Sequence, residues 1–508
     1  MSERISCSVL QNKVVSAEVA ATFVHPGDRV GMSGFTGAGC PKVLPAAIAD
    51  RARQFHARGE DFRIDLWTGA STSPGVDGVL AEAHALNRRL PYQSDPTLRR
   101  EINVGEVDYL DPHLSHSAQH MWFGFYGNMD VAVVEVSAIL PDGRLVPSSS
   151  VGNNKTWLEQ ADRVILEVND WQPRAFEGFH DVYYKTALPP RRLPIPLTEP
   201  DQRIGEPYLR VDLDKVVAVV ETNAPDRNSP FAPVDEISTS IAGHVVDFLR
   251  HEVKVGRMPA ELLPLQSGVG NVANAVLAGL GRSEFTNLTA FTEVLQDGLL
   301  DLLDDGTVSF ASATSFGLSD AGARRFNEQI EQYRGKIVLR SEEISNHPEL
   351  IRRLGLICMN GMIEADIYGH VNSTHVMGSS VMNGIGGSGD FTRNAFLNFF
   401  LSPSTAKGGA ISTIVPMASH VDHTEHDVMV IVTEQGLADL RGLSPRRRAR
   451  LVIENCAHPD YKDALLDYVE RAEKARPNAL HTPHLLNEAL SWHQRFVDTG
   501  TMQPGGVA

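Results

Sequence analysis

The stretch RVGMSGFTGAGCPKVLPAAIAD, Arg29–Asp50, decides the fold class. Its apolar first residues predict a β-strand, the glycine-rich middle predicts a tight turn, and the end predicts a helix. The stretch LLPLQSGVGNVANAVLAGL, Leu262–Leu280, has the same order of strand, glycine turn and helix in the second half of the chain. Strands that alternate with helices in this way indicate an α/β protein.

A weak internal repeat extends this pattern. Ile64–Ala83 in the first half and Leu288–Gly306 in the second each predict a strand that runs into a turn and a helix. We therefore expect two similar open α/β/α domains in tandem, residues 1–228 and 229–508, with the Pro- and Asn-rich segment Thr222–Pro233 as the linker. Because ligands of open α/β sheets bind at the carboxyl ends of strands, we expect the active site in the cleft between the domains.

Composition limits the class of protein. The 508 residues are 42 % hydrophobic and 21 % charged, as in a soluble globular protein. No run approaches the roughly 20 apolar residues that cross a bilayer, and the N-terminus lacks the apolar core of a signal peptide, so we expect a cytoplasmic protein without membrane partners. The formal net charge of −17 argues against nucleic-acid binding. The four cysteines are scattered without metal-ligand spacing, which favours a reducing compartment.

The segment Gly384–Gly389, GIGGSG, matches the G-x-G-x-x-G fingerprint of dinucleotide-binding proteins. That fingerprint needs a hydrophobic strand before it and an acidic residue about 20 positions later to hold the ribose. Here the preceding residues are largely polar, and after Asp390 the next acidic residue is Asp422. We therefore expect no NAD, and interpret the segment as a tight turn or as backbone that approaches a ligand closely.

Two further segments have alternative interpretations. The turn Ser267–Val272 lies between a predicted strand and a predicted helix, so it is either an anion site at a helix N-terminus or a plain structural turn. The run His420–His426 has three histidines and two carboxylates, but it directly precedes a predicted strand on which His420 and His423 would face opposite sides. We expect no metal site there. No G-x-S-x-G elbow is present, so the residues alone indicate only a two-domain α/β enzyme with two glycine-rich anion loops.

The chain resembles the acetyl-CoA hydrolase/transferase family of class I CoA-transferases over nearly its whole length. The resemblance lies in the following segments, which occur in one order: SGFTGAGCPK (Ser33–Lys42), LPLQSGVGNVANAV (Leu263–Val276), TEVLQDG (Thr292–Gly298), RRLGLICMNGMIEADIYGHVNST (Arg352–Thr374), MNGIGGSGDF (Met382–Phe391), SPSTAKGG (Ser402–Gly409) and VTEQGLADLRGLSP (Val432–Pro445). It implies transfer of CoA between small carboxylic acids, with succinyl-CoA as donor and acetate as acceptor, in a ping-pong mechanism through a glutamyl anhydride and a glutamyl–CoA thioester.

The resemblance also implies roles for individual residues. Glu293 matches the family's nucleophile and follows a predicted strand. The backbone amides of Val269 and Gly387 match the donors to the glutamyl oxyanion, and the Asn346 side chain matches the donor to the substrate oxyanion. The other implied active-site residues are Glu434 and Arg227 near the substrate acid, and, lining the carboxylate pocket of the first domain, Gly34–Gly37 and Thr68–Ser71.

The implied CoA-binding residues belong to the second domain, as does the nucleophile. They are Gly268, Val269, Gly270, Asn271, Val272, Ile363, Asn383, Gly387 and Lys407, of which Lys407 matches a contact to a CoA phosphate. The family further implies a homodimer and no cofactor beyond CoA as substrate. Three alternatives stay open: an acyl-CoA hydrolase, a transferase for another acid pair, and a non-catalytic acyl-CoA sensor.

Overall fold

The computed structural model describes residues 3–228, 234–475 and 480–503, so residues 229–233 of the expected linker lie outside the described residues. The helices, in chain order, are α1 (Ser8–Gln11), α2 (Ala17–Ala21), α3 (Leu44–His56), α4 (Val79–Glu82), α5 (Pro96–Asn103), α6 (Leu114–Trp122), α7 (Asn154–Gln160), α8 (Glu236–Lys254), α9 (Asn271–Gly281), α10 (Asp297–Asp304), α11 (Asp320–Glu328), α12 (Ile330–Tyr333), α13 (Glu342–Ser345), α14 (Pro348–Leu354), α15 (Ser388–Asn394), α16 (Pro445–Cys456), α17 (Pro459–Ala475) and α18 (Ser491–Thr499). Within these described ranges, no helix is long and apolar enough to cross a bilayer.

The strands alternate with these helices. In chain order they are β1 (Arg29–Met32), β2 (Ile64–Ala70), β3 (Leu86–Tyr92), β4 (Asp108–Tyr109), β5 (Met129–Ile139), β6 (Leu145–Pro147), β7 (Ala161–Asn169), β8 (His180–Asp181), β9 (Val216–Thr222), β10 (Leu265–Ser267), β11 (Leu288–Phe291), β12 (Val294–Gln296), β13 (Val308–Ala313), β14 (Ser315–Gly317), β15 (Ile337–Arg340), β16 (Ile357–Gly361), β17 (Glu364–Asp366), β18 (Val371–Asn372), β19 (His375–Val376), β20 (Ser380–Val381), β21 (Leu397–Leu401), β22 (Thr405–Ala406), β23 (Ile411–Ser412), β24 (Ile414–Val415), β25 (Val430–Thr433) and β26 (Gly436–Asp439).

The chain divides into two compact units, which differ from the expected domains 1–228 and 229–508. The first unit is Met1–Pro230 with Thr289–Leu354, and the second is Phe231–Leu288 with Gly355–Ala508. Thr289–Leu354 falls in the first unit because β15 pairs in parallel with β8, which comes from the N-terminal part of the chain.

The first unit contains a parallel sheet in the strand order β4-β3-β2-β1-β5-β7-β9, with β6 antiparallel to β5. The register places Val30 of β1 beside Leu66 and Val131. These side chains are fully buried and pack with apolar residues of α2 and α3, among them Ile48. Since side chains alternate across a strand, the remaining side chains of β1 point to the opposite face of the sheet. The same unit holds the strand group β11-β13-β15-β8, which positions the 289–354 segment.

The second unit contains the strand order β10-β16-β21-β25-β26, in which the first four strands are parallel and β26 is antiparallel. Its core is formed by buried apolar residues of β21, β25, α16 and α17. Both units are therefore α/β with parallel sheets, which confirms the predicted fold class. The strand, glycine turn and helix predicted at Arg29–Asp50 and at Leu262–Leu280 are present as β1–α3 and β10–α9.

Candidate active site

Glu293 lies in the first unit, two residues after the end of β11, as its sequence position predicts. Its carbonyl oxygen accepts hydrogen bonds from Thr314 N at 2.9 Å and Ser315 N at 3.1 Å, which fix the backbone at this point. The residue is half-buried. A carboxylate is thus presented at the carboxyl end of a strand, where ligands of α/β proteins collect.

Asn346 is the partner of this carboxylate. Its Nδ2 donates a hydrogen bond to Glu293 Oε1 at 2.5 Å, and the residue is fully buried. Asn346 ends the short helix α13, whose first residue Glu342 accepts from Asn346 N at 2.9 Å. The Glu342 side chain in turn accepts from Asn153 Nδ2 at 3.1 Å. The amide is therefore held by its own helix and orients one carboxylate oxygen of Glu293.

Two loops of the first unit that the family resemblance assigns to a carboxylate pocket lie against each other. Thr36 N donates to Ala70 O at 2.8 Å, and Gly69 N donates to Gly34 O at 3.2 Å. A Cβ at Gly69 would lie 2.6 Å from Gly34 O, so only glycine allows this approach. The turns after β1 and β2 thus pack directly against each other, and their residues 34–37 and 68–71 are buried.

Arg227, which follows β9, packs its backbone against the same glycine turn. Gly37 N donates to Asn228 Oδ1 at 2.8 Å, and Arg227 N donates to Gly37 O at 3.3 Å. A Cβ at Gly37 would lie only 1.9 Å from Arg227 O. The backbone of Arg227 is therefore locked against the turn while its side chain is exposed.

A buried ionic network that was not predicted from the sequence contacts this glycine turn. Lys42 Nζ lies 2.6 Å from Glu135 Oε2 and 2.9 Å from Asp226 Oδ1, and all three side chains are at least 92 % buried. Asp226 also accepts from Gly39 N at 3.0 Å. Burial raises the pKa of Glu135 to about 7, although the Lys42 ammonium opposes the shift. The available signal was a carboxylate inside the apolar strand MDVAVVEVSAI, which is rarely buried without a partner.

The predicted CoA residues lie in the second unit, where most of them follow the ends of adjacent parallel strands. Lys407 lies between the short antiparallel strands β22 and β23. The turn Gly268–Val272 follows β10, and Ile363 follows β16. Parallel strands place their carboxyl ends at one edge of the sheet, so these positions share that edge.

The turn Gly268–Val272 presents its backbone. Gly268 N donates to Met359 O at 2.8 Å, and a Cβ at Gly268 would lie 2.9 Å from that oxygen. Gly270 has φ of +136° and directly precedes α9, whose first residue is Asn271. The Val269 side chain is 56 % exposed, unusual for a large apolar residue. The turn thus places a helix N-terminus and an apolar surface side by side, as suits the phosphate and pantetheine parts of CoA.

The turn Gly384–Gly389 differs from a dinucleotide-binding loop. The strand before it, β20, is two residues long and antiparallel to β19. Gly386 has φ of +56°, Gly387 is the N-cap of α15, and Asn383 is half-buried immediately before the turn. Within the described residues the Gly387 N–H has no acceptor.

Lys407 and Glu434 occupy ordered loops of the second unit. Lys407 has φ of +48° and is exposed, and its Nζ lies 5.0 Å from the centroid of the Phe496 ring. Glu434 follows β25 and accepts from Ser404 N at 2.8 Å and from the Ser404 hydroxyl. Burial opposes ionisation of Glu434, but the hydrogen bonds from Ser404 and Gln435 outweigh it and lower the pKa of this carboxyl.

The first unit thus has a carboxylate at a strand end, and the second has glycine-rich turns at the N-termini of α9 and α15. Models of the acetyl-CoA hydrolase/transferase N-terminal domain and C-terminal domain match residues 4–221 and 322–469. The chain belongs to the acetyl-CoA hydrolase/transferase family.

Three relatives cover nearly the whole chain. It is 50 % identical to the succinyl-CoA:acetate CoA-transferase of Clostridium kluyveri, over 99 % of this chain and 92 % of that protein. It is 48 % identical to the propanoyl-CoA:succinate CoA transferase of Escherichia coli, over 96 % of this chain and 98 % of that protein. It is 46 % identical to the acetyl-CoA hydrolase of Eremothecium gossypii, over 99 % and 98 %.

Solved structures share the fold at lower identity. RipA from Yersinia pestis matches with a TM-score of 0.70 and 23 % identity, over 92 % of this chain and 98 % of that one. The 4-hydroxybutyrate CoA-transferase of Porphyromonas gingivalis matches with a TM-score of 0.62 and 20 % identity, over 91 % and 98 %. The chain therefore shares its α/β fold with these two structures.

Proposed function

We propose that this enzyme transfers CoA from succinyl-CoA to acetate, with Glu293 as the covalent carrier. The proposal rests above all on the hydrogen bond from the buried Asn346 amide to the Glu293 carboxylate. This bond orients a carboxylate oxygen without neutralising its charge, as a nucleophile requires. The 50 % identity to a succinyl-CoA:acetate CoA-transferase supports the choice of acids.

The reaction is a series of acyl exchanges. A Glu293 oxygen attacks the succinyl thioester carbon, the C–S bond breaks, and CoA leaves as a thiolate from a succinyl–glutamyl anhydride. The thiolate attacks the glutamyl carbonyl carbon, the anhydride C–O bond breaks, and succinate leaves a glutamyl–CoA thioester. Acetate then attacks the glutamyl carbonyl carbon, the C–S bond breaks, and the thiolate leaves an acetyl–glutamyl anhydride. The thiolate finally attacks the acetyl carbonyl carbon, the anhydride C–O bond breaks, and acetyl-CoA and the free Glu293 carboxylate are released. No net proton is taken up, and splitting one step into several lowers each barrier.

Each tetrahedral intermediate carries an oxyanion that needs hydrogen-bond donors. We assign the Asn346 side chain to the substrate oxyanion and the amides of Val269 and Gly387 to the glutamyl oxyanion. The Gly387 N–H, for which the described part of the chain shows no acceptor, supports this assignment. One such donor is typically worth about 10²–10³ in rate.

We assign the incoming acid to Arg227, with Gly34–Gly37 and Thr68–Ser71 lining its pocket, and we assign Glu434 the role of a further active-site carboxylate. The guanidinium of an arginine binds a carboxylate through two parallel hydrogen bonds. The locked backbone of Arg227 supports this role because it limits the positions that the side chain can reach.

We assign CoA to the second unit, with Lys407 at one of its phosphates. The other contacts are Gly268, Val269, Gly270, Asn271, Val272, Ile363, Asn383 and Gly387. Thioester and anhydride exchange uses neither redox chemistry nor a Lewis acid, so the proposal includes no metal and no NAD.

The experiment that tests the proposal follows free thiol and acetyl-CoA together after succinyl-CoA and saturating acetate are mixed. We expect acetyl-CoA to form much faster than free thiol, with parallel double-reciprocal lines when both substrates are varied. An acetyl-CoA hydrolase is the second candidate, since a relative with that name is 46 % identical. Thiol release that equals or exceeds acetyl-CoA formation would establish the hydrolase instead.

The covalent step is tested separately. We expect acyl-CoA alone, followed by borohydride reduction and peptide mapping, to modify Glu293. A label on any other residue, or no label under conditions of rapid exchange, would contradict the assignment.

A further inference from the structure

The histidine run His420–His426 holds an imidazole deep in the second unit. His423 is 3 % exposed, and its ring lies 4.8 Å from the Phe400 ring. Its backbone pairs with β18, because His423 N donates to Val371 O at 3.0 Å and Val371 N donates to His423 O at 2.8 Å. Burial, the contact with the tilted Phe400 ring and the backbone pairing together restrict the position of this ring.

The His423 ring contacts the glycine turn through Ser388. His423 Nε2 lies 3.1 Å from Ser388 Oγ and 3.3 Å from Ser373 Oγ. The Ser388 hydroxyl donates its single proton to Ile385 O at 2.8 Å, so its oxygen accepts from the imidazole. Nε2 therefore carries the proton, and a hydrogen-bond chain runs from His423 through Ser388 to Ile385.

This chain of hydrogen bonds includes both ends of the turn that contains Gly387. Ile385 O accepts from both the hydroxyl and the backbone N of Ser388, the latter at 3.3 Å. Gly387 lies between these two residues, and Gly386 adopts φ of +56°, so the turn has little intrinsic preference for one conformation. The fixed imidazole supplies the external contact that selects one.

Asp422 fixes Ser373, the second serine whose hydroxyl lies near His423. Its Oδ2 accepts from Ser373 N at 2.7 Å and from Thr374 Oγ1 at 2.9 Å. Ser373 is thereby kept within reach of His423 Nε2. Asp422 and His423 thus both contact the serines beside the glycine turn. These contacts account for two of the residues that make the run resemble a metal site in sequence.

We propose that His423 is a positioning residue that aims the Gly387 N–H at the oxyanion by holding Ser388. The proposal rests on the oxyanion role of Gly387 proposed above. A displacement of about 1 Å at a reacting centre can cost about 10²-fold in rate, so a relaxed turn lowers kcat more than it weakens CoA binding.

The test compares His423→Leu, which removes the donor, with His423→Gln, whose Nε2–H can replace it. We expect His423→Leu to lower kcat by about 10–10²-fold with an unchanged KM for succinyl-CoA, and His423→Gln to recover most of the loss. Ser388→Ala removes the acceptor without crowding the core and should give a similar loss, not additive with that of His423→Leu. The matched control is His426→Leu, an exposed histidine of the same run, which should match the wild type.

The outcomes separate this proposal from the proposed function. A wild-type kcat in both Ser388→Ala and His423→Leu would overturn the positioning role, as would no recovery in a folded His423→Gln. If His423→Leu does not fold, Ser388→Ala and His423→Gln alone decide. Failure of the wild-type enzyme to acquire a label at Glu293 would instead overturn the underlying mechanism.

Discussion

Asn346 Nδ2 donates a 2.5 Å hydrogen bond to Glu293 Oε1 although the residues lie 53 positions apart in the chain. One side chain is fully buried on a helix end and the other half-buried at a strand end. The pair therefore combines a fixed donor with a carboxylate that a substrate can approach. This arrangement makes both the reach of the carboxylate and the donor character of the amide testable.

Shortening the carboxylate tests its reach. Glu293→Asp keeps the charge but withdraws the oxygens by about 1.5 Å, and such a displacement costs about 10²-fold or more in kcat when the group is a nucleophile. Steady-state kinetics with succinyl-CoA and acetate measure the effect. Near-normal turnover would mean that Glu293 acts at a distance, as a charge.

Removing the donor tests Asn346. Asn346→Asp has nearly the same shape but replaces the NH₂ group with an acceptor oxygen, so it should repel Glu293 and lower kcat by about 10²–10³-fold. The fold should survive, as shown by far-UV circular dichroism. An unchanged kcat would show that the amide serves only the structure.

A side chain at Gly37 tests whether the close contact between this turn and the Arg227 backbone is needed for acetate binding. A Cβ at Gly37 would lie 1.9 Å from Arg227 O, so Gly37→Ala must displace the arginine segment. We expect the KM for acetate to rise at least about tenfold while the KM for succinyl-CoA stays near the wild-type value. Gly243→Ala is the matched control, because its Cβ meets no atom within 4 Å. A proportional rise in both KM values would argue for general disruption instead.

The buried network predicts a pH effect on stability. The pKa of Glu135 is raised to about 7 from an ordinary value of 4.5, so between these pH values the folded state binds more protons than the unfolded state. The contribution of this group to stability is therefore present below pH 4.5 and is lost as pH rises through about 7. Glu135→Gln removes this titration, so its stability relative to the wild type should increase between pH 5 and 7.5, by at most about 3 kcal/mol.

Urea unfolding of both proteins at several pH values measures this difference. The control is Glu328→Gln, an exposed carboxylate on α11, whose stability difference from the wild type should not change with pH. A difference that is flat for Glu135→Gln as well would mean that Glu135 stays ionised in the folded protein.

The sequence predicted the local elements because their signals are local. The glycine turn after β1 and the strand before Glu293 both depend on the order of apolar residues and glycines within about 20 positions. The boundaries of the compact units could not be predicted in the same way. The chain passes from one unit to the other at three places. The passage near Pro230 has the composition of a linker, whereas the other two, inside β11 and immediately after α14, have no such composition.

Contacts between distant segments were also beyond sequence reasoning. Lys42 and Asp226 lie 184 positions apart, and no periodicity links them. The resemblance implied separate roles for Asn346 and Glu293, but the hydrogen bond between them was not predicted. The histidine run was singled out by its residue types, but its purpose depends on Ser388, which lies 35 positions before His423.

A shortened substrate tests whether the Lys407 ammonium binds a CoA phosphate. The loop around Lys407 is held by Tyr461, whose hydroxyl donates to Gly409 O at 2.7 Å, and the Lys407 ammonium lies over the Phe496 ring. If this ammonium binds a CoA phosphate, Lys407→Ala should raise the KM for succinyl-CoA about tenfold, since one charge-assisted contact is worth roughly 1.4 kcal/mol or more. Succinyl-pantetheine lacks those phosphates, so the variant and the wild type should use it equally well. Lys474→Ala, at an exposed lysine of α17, controls for the loss of a surface charge. Equal losses on both substrates would place Lys407 away from the phosphates and limit its role to the loop itself.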